Sequence, residues 1–441
     1  MSYDPEFQQR IYEMLMESQY WSPEQMHAFQ EQQLAQLLKF SRDTVPFYKE
    51  RLAHILTADG QVNWDRWHEI PILKRDDLHN HREDMLAPKL PQGHGFMGDH
   101  MGSGTTGRPV TSTHNSLMPL VSSAALYRAW AWFDVDYRKN FCINDGNEPD
   151  VASWPEGATR GSCAPAWDVA NADVKSFQIN RFTLPEQVAE FVNRMAIDYL
   201  AGVFPNRMQS VALAAEKLGL QRKLAGIFTL GSAPDETMRE DCRRVYDAEI
   251  ISLYASKEVY NIGHQCPTGQ HYHVNSELVL LEVLDDFGNP SPVGECGRAV
   301  ITSFFNTAQP FIRYEIGDQL VMGANCNCGR TLPVIEKIAG RTLHMFRLPG
   351  NRKMAFSLPS KMMKIVAAQN WQFAQIKPLH IEVRIIPDGS FVQPNYDELN
   401  AIIRHSTDPD MQVSYRAMET LPVSPSGKFI QFVCELPLET T

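Results

Sequence analysis

Between Leu184 and Leu253 the chain alternates helical periods with short apolar runs, and this alternation constrains the fold more than any other feature. Leu184 to Met195 and Met208 to Leu218 lie on either side of the turn Ala201-Gly202-Val203-Phe204-Pro205 and continue that alternation of helix and strand patterns. Leu224 to Leu230 is an apolar run too short for a helix and reads as a buried strand. It ends in Gly231-Ser232-Ala233-Pro234, and a helical stretch follows from Asp235 to Asp247. Glu249 to Leu253 is a further short strand, running into Tyr254-Ala255-Ser256-Lys257-Glu258. Repeated units of this kind predict an α/β sheet core, and in open α/β sheets ligands gather at the carboxyl ends of the strands.

The flanks read differently. Residues 22 to 56 carry Phe29, Leu34, Leu37, Leu38 and Phe40 at helical spacing, with a stop at Thr44-Val45-Pro46. Val110 to Thr113 alternates like a strand, and Ser116 to Phe133 has the pattern of a packed helix. Phe141 to Trp167, with Asn144-Asp145-Gly146 and Trp154-Pro155-Glu156-Gly157, reads as one long irregular loop of the sort that often carries function. Leu278 to Leu284, Arg298 to Phe304 and Phe311 to Tyr314 predict an antiparallel subdomain. From Thr342 onward 10 Lys/Arg nearly balance 9 Asp/Glu, so the acidic excess lies earlier and the domain boundary is placed at Arg341/Thr342.

Net charge of −11 excludes a nucleic-acid surface, which needs a clustered basic footprint. No run of 18 apolar residues occurs and the first ten residues lack a leader pattern, so a cytoplasmic protein with no membrane partner is expected. The eight cysteines then read as thiols or metal ligands.

The densest chemical signal is Ser103-Gly104-Thr105-Thr106-Gly107-Arg108-Pro109. Glycines let backbone N–H groups approach an anion, hydroxyls add donors, and Arg108 brings positive charge, which together suit polyphosphate. It is not a Walker A loop. Arg108 and Pro109 stand where that motif needs Lys and a hydroxyl residue, and Pro109 offers phosphate no N–H. Val110 and the helix from Ser116 complete a strand, loop and helix series that suits an anion site. A second cluster is Cys266 and His273 with Cys326 and Cys328, three thiols and an imidazole suited to tetrahedral Zn²⁺, with His264 and His271 as competing ligands. Four protein ligands would make that site, within residues 264–328, a closed and structural one.

Taken in order, Ser103 to Pro109, Gly231 to Pro234, Tyr254 to Glu258, Arg313-Tyr314-Glu315-Ile316-Gly317-Asp318, Gly340-Arg341 and Ser426-Gly427-Lys428 resemble the motif series of the adenylate-forming ligases, in the phenylacetate-CoA ligase-like and capsule-associated ligase-like branch. That resemblance implies an N-terminal adenylation domain over 1–341, α/β with an antiparallel subdomain, and a small mobile α+β domain over 342–441. It implies activation of a carboxylic acid by ATP to acyl-AMP with release of pyrophosphate, then transfer to CoA. Thr105 and the rest of Ser103, Gly104, Thr106, Gly107 and Arg108 would hold the β- and γ-phosphates. Gly231, Ser232, Ala233 and Pro234, with Tyr254, Ala255 and Ser256, would frame AMP. Glu258 would hold Mg²⁺, Asp318 would accept from the ribose hydroxyls, and Arg341 would contact ribose or phosphate. Lys428 would stabilise charge at the α-phosphate. Asn144, Asp145 and Gly146 would line the acid pocket, whose polar character suits a functionalised acid. Relatives of this branch carry a similar zinc set.

Two departures are plain. Lys257 stands where the family has a hydroxyl, and Thr342-Leu343-His344-Met345-Phe346 replaces the usual acidic hinge. An amine acceptor giving an amide is therefore the alternative to CoA, and a non-catalytic nucleotide or carboxylate binder is the alternative outside catalysis. A homodimer stays open.

Overall fold

In this computed structural model the described residues are 5–57, 60–101, 110–146, 154–180, 183–202, 204–341, 346–349, 352–354, 368–387, 396–422 and 432–436. The phosphate-loop motif at 103–109, Lys428, residues 147–153 and the hinge segment 342–345 lie outside them, as do the side chains of Asp145 and Arg341.

The predicted alternation is present. β1 (Met97–Met101) and β2 (Thr111–Asn115) form an antiparallel pair, in register from Met97↔Asn115 to Met101↔Thr111. β3 (Phe141–Gly146), β4 (Ala158–Arg160), β5 (Ser176–Asn180), β6 (Tyr199–Gly202), β7 (Gly226–Thr229) and β8 (Ile250–Ser256) supply one half of a large sheet. β9 (Tyr260–Gln265), β10 (Tyr272–Val274), β11 (Val279–Leu284), β12 (Cys296–Ser303), β13 (Tyr314–Met322) and β14 (Val334–Arg341) supply the other. The order is β11-β12-β13-β14-β10-β9-β8-β7-β6-β3-β5-β4, so the two halves are one twelve-stranded sheet. β8 is the seam: parallel to β7 on one side, antiparallel to β9 on the other. The motif that begins at Tyr254 therefore sits where the sheet changes from parallel to antiparallel.

Helices Pro185–Arg194, Pro205–Lys217 and Glu236–Tyr246 cover the parallel half, with Val188, Phe191, Met208, Val211 and Tyr246 in a common apolar core. Proline at the first turn starts two of them, and the Asp235 carboxylate caps the third by accepting from Met238 N. Helix Leu117–Trp132 has apolar residues around its whole circumference, with Arg128 its one charge, and such a helix must be buried. It packs with β9 and with helix Pro5–Ser18.

The described residues from 346 on build a separate four-stranded sheet. β15 (Phe346–Leu348) and β16 (Arg352–Met354) pair as a ribbon beside it. β17 (Ala368–Lys377), β18 (His380–Pro387), β19 (Gln412–Ala417) and β20 (Phe432–Cys434) lie in the order β19-β18-β17-β20. With helix Tyr396–Ser406 they enclose Trp371, Phe373, Ile381, Val383, Leu399 and Ile403.

Two local readings are corrected. Phe141 to Gly146 is not loop but the strand β3, because buried Phe141 and Cys142 give it neighbours on both edges. The strand expected at Phe311 to Tyr314 begins only at Tyr314, since Arg313 holds φ 50° to place its side chain. The stretch after the phosphate loop enters β2, as its alternation predicts, before the helix Leu117–Trp132. The following helix has its N-terminus taken by Asn115, whose Oδ1 accepts from Met118 N at 3.1 Å.

Candidate active site and cysteine–histidine cluster

The hydrogen-bond register of the sheet brings the middle motifs together. Tyr254, at the end of the seam strand, is buried and donates its hydroxyl to Asp318 Oδ2 at 2.9 Å. Asp318 lies on β13 directly across from Arg341 on β14, so three motifs separated by tens of residues share one edge. The Gly231 turn follows β7, the parallel neighbour of the seam, and Gly231 has φ +89°, a conformation that glycine adopts without strain. Lys257 and Glu258 form the turn from β8 to β9, with Lys257 exposed and Glu258 half-buried.

That turn is tied to the flanks of the phosphate loop by a residue the motif reading missed. His114 on β2 donates from Nε2 to the Glu258 carbonyl at 3.0 Å. Burial pushes the His114 pKa down to about 4, so the ring is neutral near pH 7. Its ring lies 5.0 Å from those of His100 on β1 and Tyr260 on β9, centroid to centroid. β2 is itself stapled to a buried polar loop: Asn306 Nδ2 donates to Thr113 O at 3.0 Å, and Thr113 N donates to Gln309 Oε1 at 2.9 Å. The signal was available in the sequence, since buried amides in Asn306 to Gln309 demand partners.

Arg313, inside a matched motif, turns out to be a brace. Its Nη1 donates to the carbonyls of His68 and Ile70 at 2.7 and 2.8 Å, and its guanidinium pairs with Glu282. Asn144 has its amide engaged within the protein, donating to Ile179 O and Asn180 O and accepting from Arg207 Nε at 2.7 Å. Its neighbour Ile143 instead lines a cavity.

That cavity, of about 150 Å³, lies between helix Leu117–Trp132 and strands β3, β6, β7, β8 and β9. Trp130, Phe133, Phe228, Ile251 and Leu253 give it apolar walls, and Leu230 and Leu253 bring it to the residues before Gly231 and Tyr254. The residues just before Tyr254 are where the resemblance puts the acid pocket, whereas the helix that supplies the other wall reads as ordinary core.

The second cluster assembles with one change. Ligand atoms of Cys266, His271, His273 and Cys326 all lie within 4.8 Å of one another. Cys328, expected as the fourth ligand, stands at the side of this set, its Sγ 3.2 Å from His273 Nε2, while His271 Nε2 is 3.1 Å from Cys326 Sγ. His264 is elsewhere, held at Nδ1 by Asn275 Oδ1 at 3.1 Å. The donor set fits a metal. Cys266 and Cys326 sulfurs are 3.8 Å apart, as two thiolates at about 2.3 Å from one tetrahedral Zn²⁺ would be. His273 donates from Nδ1 to Leu332 O at 3.1 Å, which leaves Nε2 as the ligating nitrogen, and burial keeps the ring neutral by lowering its pKa to about 4.

No family model matches the chain. A phenylacetate-coenzyme A ligase of Thermus thermophilus is 25% identical over 345 residues, which span 74% of this chain and 73% of that protein. Among solved structures, a 2-hydroxyisobutyryl-CoA ligase in the postadenylation state superposes with a TM-score of 0.70 at 16% identity, covering 95% of this chain and 93% of the other. The same ligase in an open conformation with 2-HIB-AMP and CoA gives 0.62, at 16% identity over 96% and 95%. The chain is a homologue of a phenylacetate-CoA ligase and has the fold of the adenylate-forming acyl-CoA ligases.

Proposed function

We propose that this protein activates a small, functionalised carboxylic acid with ATP and passes the acyl group to CoA. Residues 1–341 act as the adenylation domain and residues 342–441 as the lid that carries Lys428. In the first step a carboxylate oxygen of the acid bonds to the α-phosphorus of ATP and pyrophosphate leaves. In the second, the CoA thiolate attacks the acyl carbon and AMP leaves. Tyr254 and Asp318 position the adenosine, the Asp318 carboxylate accepting from the ribose hydroxyls. The loop Ser103 to Arg108 donates to the β- and γ-phosphates, with Thr105 as a hydroxyl donor, and Arg341 reaches ribose or phosphate. Lys428 provides a cation where negative charge grows at the α-phosphate. Glu258 is the residue placed to hold Mg²⁺, which when bound neutralises charge shared between phosphates. Cys266, His271, His273 and Cys326 would hold a structural Zn²⁺, with Cys328 beside them.

The observation that carries this reading is the Tyr254 to Asp318 hydrogen bond, which joins two motifs at a sheet seam next to an apolar cavity. Sequence similarity to a phenylacetate-CoA ligase supports it. Carboxylate-dependent ATP–pyrophosphate exchange is the test. Exchange should appear with a suitable acid and vanish in Lys428→Ala, while that variant still consumes supplied acyl-adenylate. Nucleotide binding by calorimetry without exchange from any acid would make the protein a non-catalytic binder instead. Product mass with CoA and with amines as acceptors decides between thioester and amide.

A further inference from the structure

On the sheet face that carries Leu253, His264 Nε2 lines the apolar cavity without a hydrogen-bond partner among the described residues, on a side chain only 2% exposed. The hydroxyls of Thr229 and Ser252, paired in register, alternate onto the opposite face. Leaving a buried donor or acceptor unsatisfied is costly, so a native fold keeps such an atom where something else completes it.

The geometry fixes what His264 requires. Asn275 donates from Nδ2 to Asn261 O at 3.0 Å and receives Arg128 Nη2 on Oδ1 at 2.8 Å, which sets the orientation of its amide. Its Oδ1 therefore accepts from His264, and Nδ1 of that ring carries the proton. Nε2 is left with its lone pair: an acceptor that needs an O–H or N–H. The same cavity is walled by the rings of Trp130 and Phe228, whose centroids lie 5.1 Å apart. A cavity of about 150 Å³ with aliphatic and aromatic walls takes one benzene ring.

We infer that this cavity selects a single-ring aromatic acid bearing a hydroxyl or amino group, which donates to His264 Nε2. The inference rests on the adenylation reading for the acid's carboxylate, but the ring and its donor are read from the cavity alone. Discrimination follows from the same physics: an analogue without the donor leaves His264 Nε2 unpaired again.

The experiment compares, in wild-type enzyme, kcat/KM of ATP–pyrophosphate exchange for benzoate and phenylacetate, their hydroxy and amino isomers, and the methyl isosteres. The best donor-bearing isomer should exceed its methyl isostere by about 10- to 100-fold. His264→Phe should abolish that ratio, whereas His264→Gln, which keeps an acceptor, should retain part of it, and Thr229→Val, on the opposite face of the sheet, should leave it unchanged. Methyl or unsubstituted acids equal to every donor-bearing isomer in the wild type would overturn the inference and leave the adenylation reading standing. Phenol against toluene, titrated calorimetrically into the wild-type protein, requires no turnover and no variant. Phenol binding about tenfold tighter supports the cavity assignment even if no acid is adenylated, and equal binding sinks it.

Discussion

His264 and His273 face each other across β9 and β10, in direct register, and Trp132 presents its edge or face to both at 6.4 and 5.8 Å. Both are buried, both are held at Nδ1 by an oxygen, and both offer Nε2. One points that nitrogen among thiols and the other lines an apolar cavity. The difference teaches that residue type and burial do not assign a histidine its work; the partner of the remaining nitrogen does. Their strands can approach so closely because position 263 lacks a side chain, since a Cβ there would meet His273 O at 2.9 Å.

Breaking the shared support has the largest expected effect. Arg128 and Glu277 form an ion pair at 2.6 Å with both side chains fully buried; Ser18 Oγ donates to the same Glu277 Oε1 at 2.6 Å, and Oε2 has no partner among the described residues. Arg128→Ala leaves Glu277 buried and unpaired and should destabilise the protein by about 3–5 kcal/mol. Because Arg128 also fixes Asn275, this variant should lose the acid preference attributed to His264. Paired replacement, Arg128→Met with Glu277→Leu, should recover most of the stability, as measured by guanidinium denaturation.

Separating the two histidines comes next. His273→Ala should reduce bound zinc from one per chain to a small fraction by elemental analysis, and lower stability by about 2–3 kcal/mol. It should leave the ranking of acids unchanged. His264→Phe should do the reverse, keeping the metal and losing the ranking. If either variant moves both readouts, the cavity and the cluster are one site.

How much of this was legible in the sequence depends on what each residue answers to. The strand and helix alternation, and the Tyr254 and Asp318 motifs, follow from local pattern, and the fold bears that pattern out. Cys328 and His271 are rival fourth ligands in the sequence, and nothing local ranks them: His271 Nε2 stands 3.1 Å from Cys326 Sγ and Cys328 Sγ 3.2 Å from His273 Nε2. The cavity was legible only through the residues before Tyr254, since its other walls are ordinary core residues and the unpaired Nε2 of His264 leaves no mark in the sequence. Arg128 was a clue of another kind: a lone charge in an apolar helix implies a buried counter-ion, though not that it would be Glu277.

A third buried histidine tests the comparison through pH. His114 uses the opposite tautomer, donating from Nε2 to the Glu258 carbonyl, and its Nδ1 is buried with no partner among the described residues. Burial, with a smaller contribution from His100, lowers its pKa to about 4, against the pull of Asp99 and of the Glu258 carbonyl. Above about pH 6.5 the ring is neutral both folded and unfolded, so it adds nothing to the slope. Below that, the unfolded chain binds a proton that the folded one refuses, and stability is lost as pH falls toward about 4. The loss should be about 3 kcal/mol over the window, and His114→Gln should remove that share of it in denaturation curves taken at each pH.

The smallest effect belongs to the seam. Tyr254→Phe deletes one hydroxyl and leaves the Asp318 carboxylate, itself 8% exposed, to find water or ribose. A net hydrogen bond of this kind contributes about 1 kcal/mol, so the unfolding midpoint should move by only a few degrees. Nucleotide binding reads the same change with a different sign of interest. If Tyr254 holds Asp318 ready to accept from ribose, ATP should bind several-fold more weakly in Tyr254→Phe by calorimetry, while the ranking of acids set by the cavity stays as it was. Unchanged ATP affinity would confine the Tyr254 hydroxyl to stabilising the sheet, and a changed acid ranking would show that the seam and the cavity do not act independently.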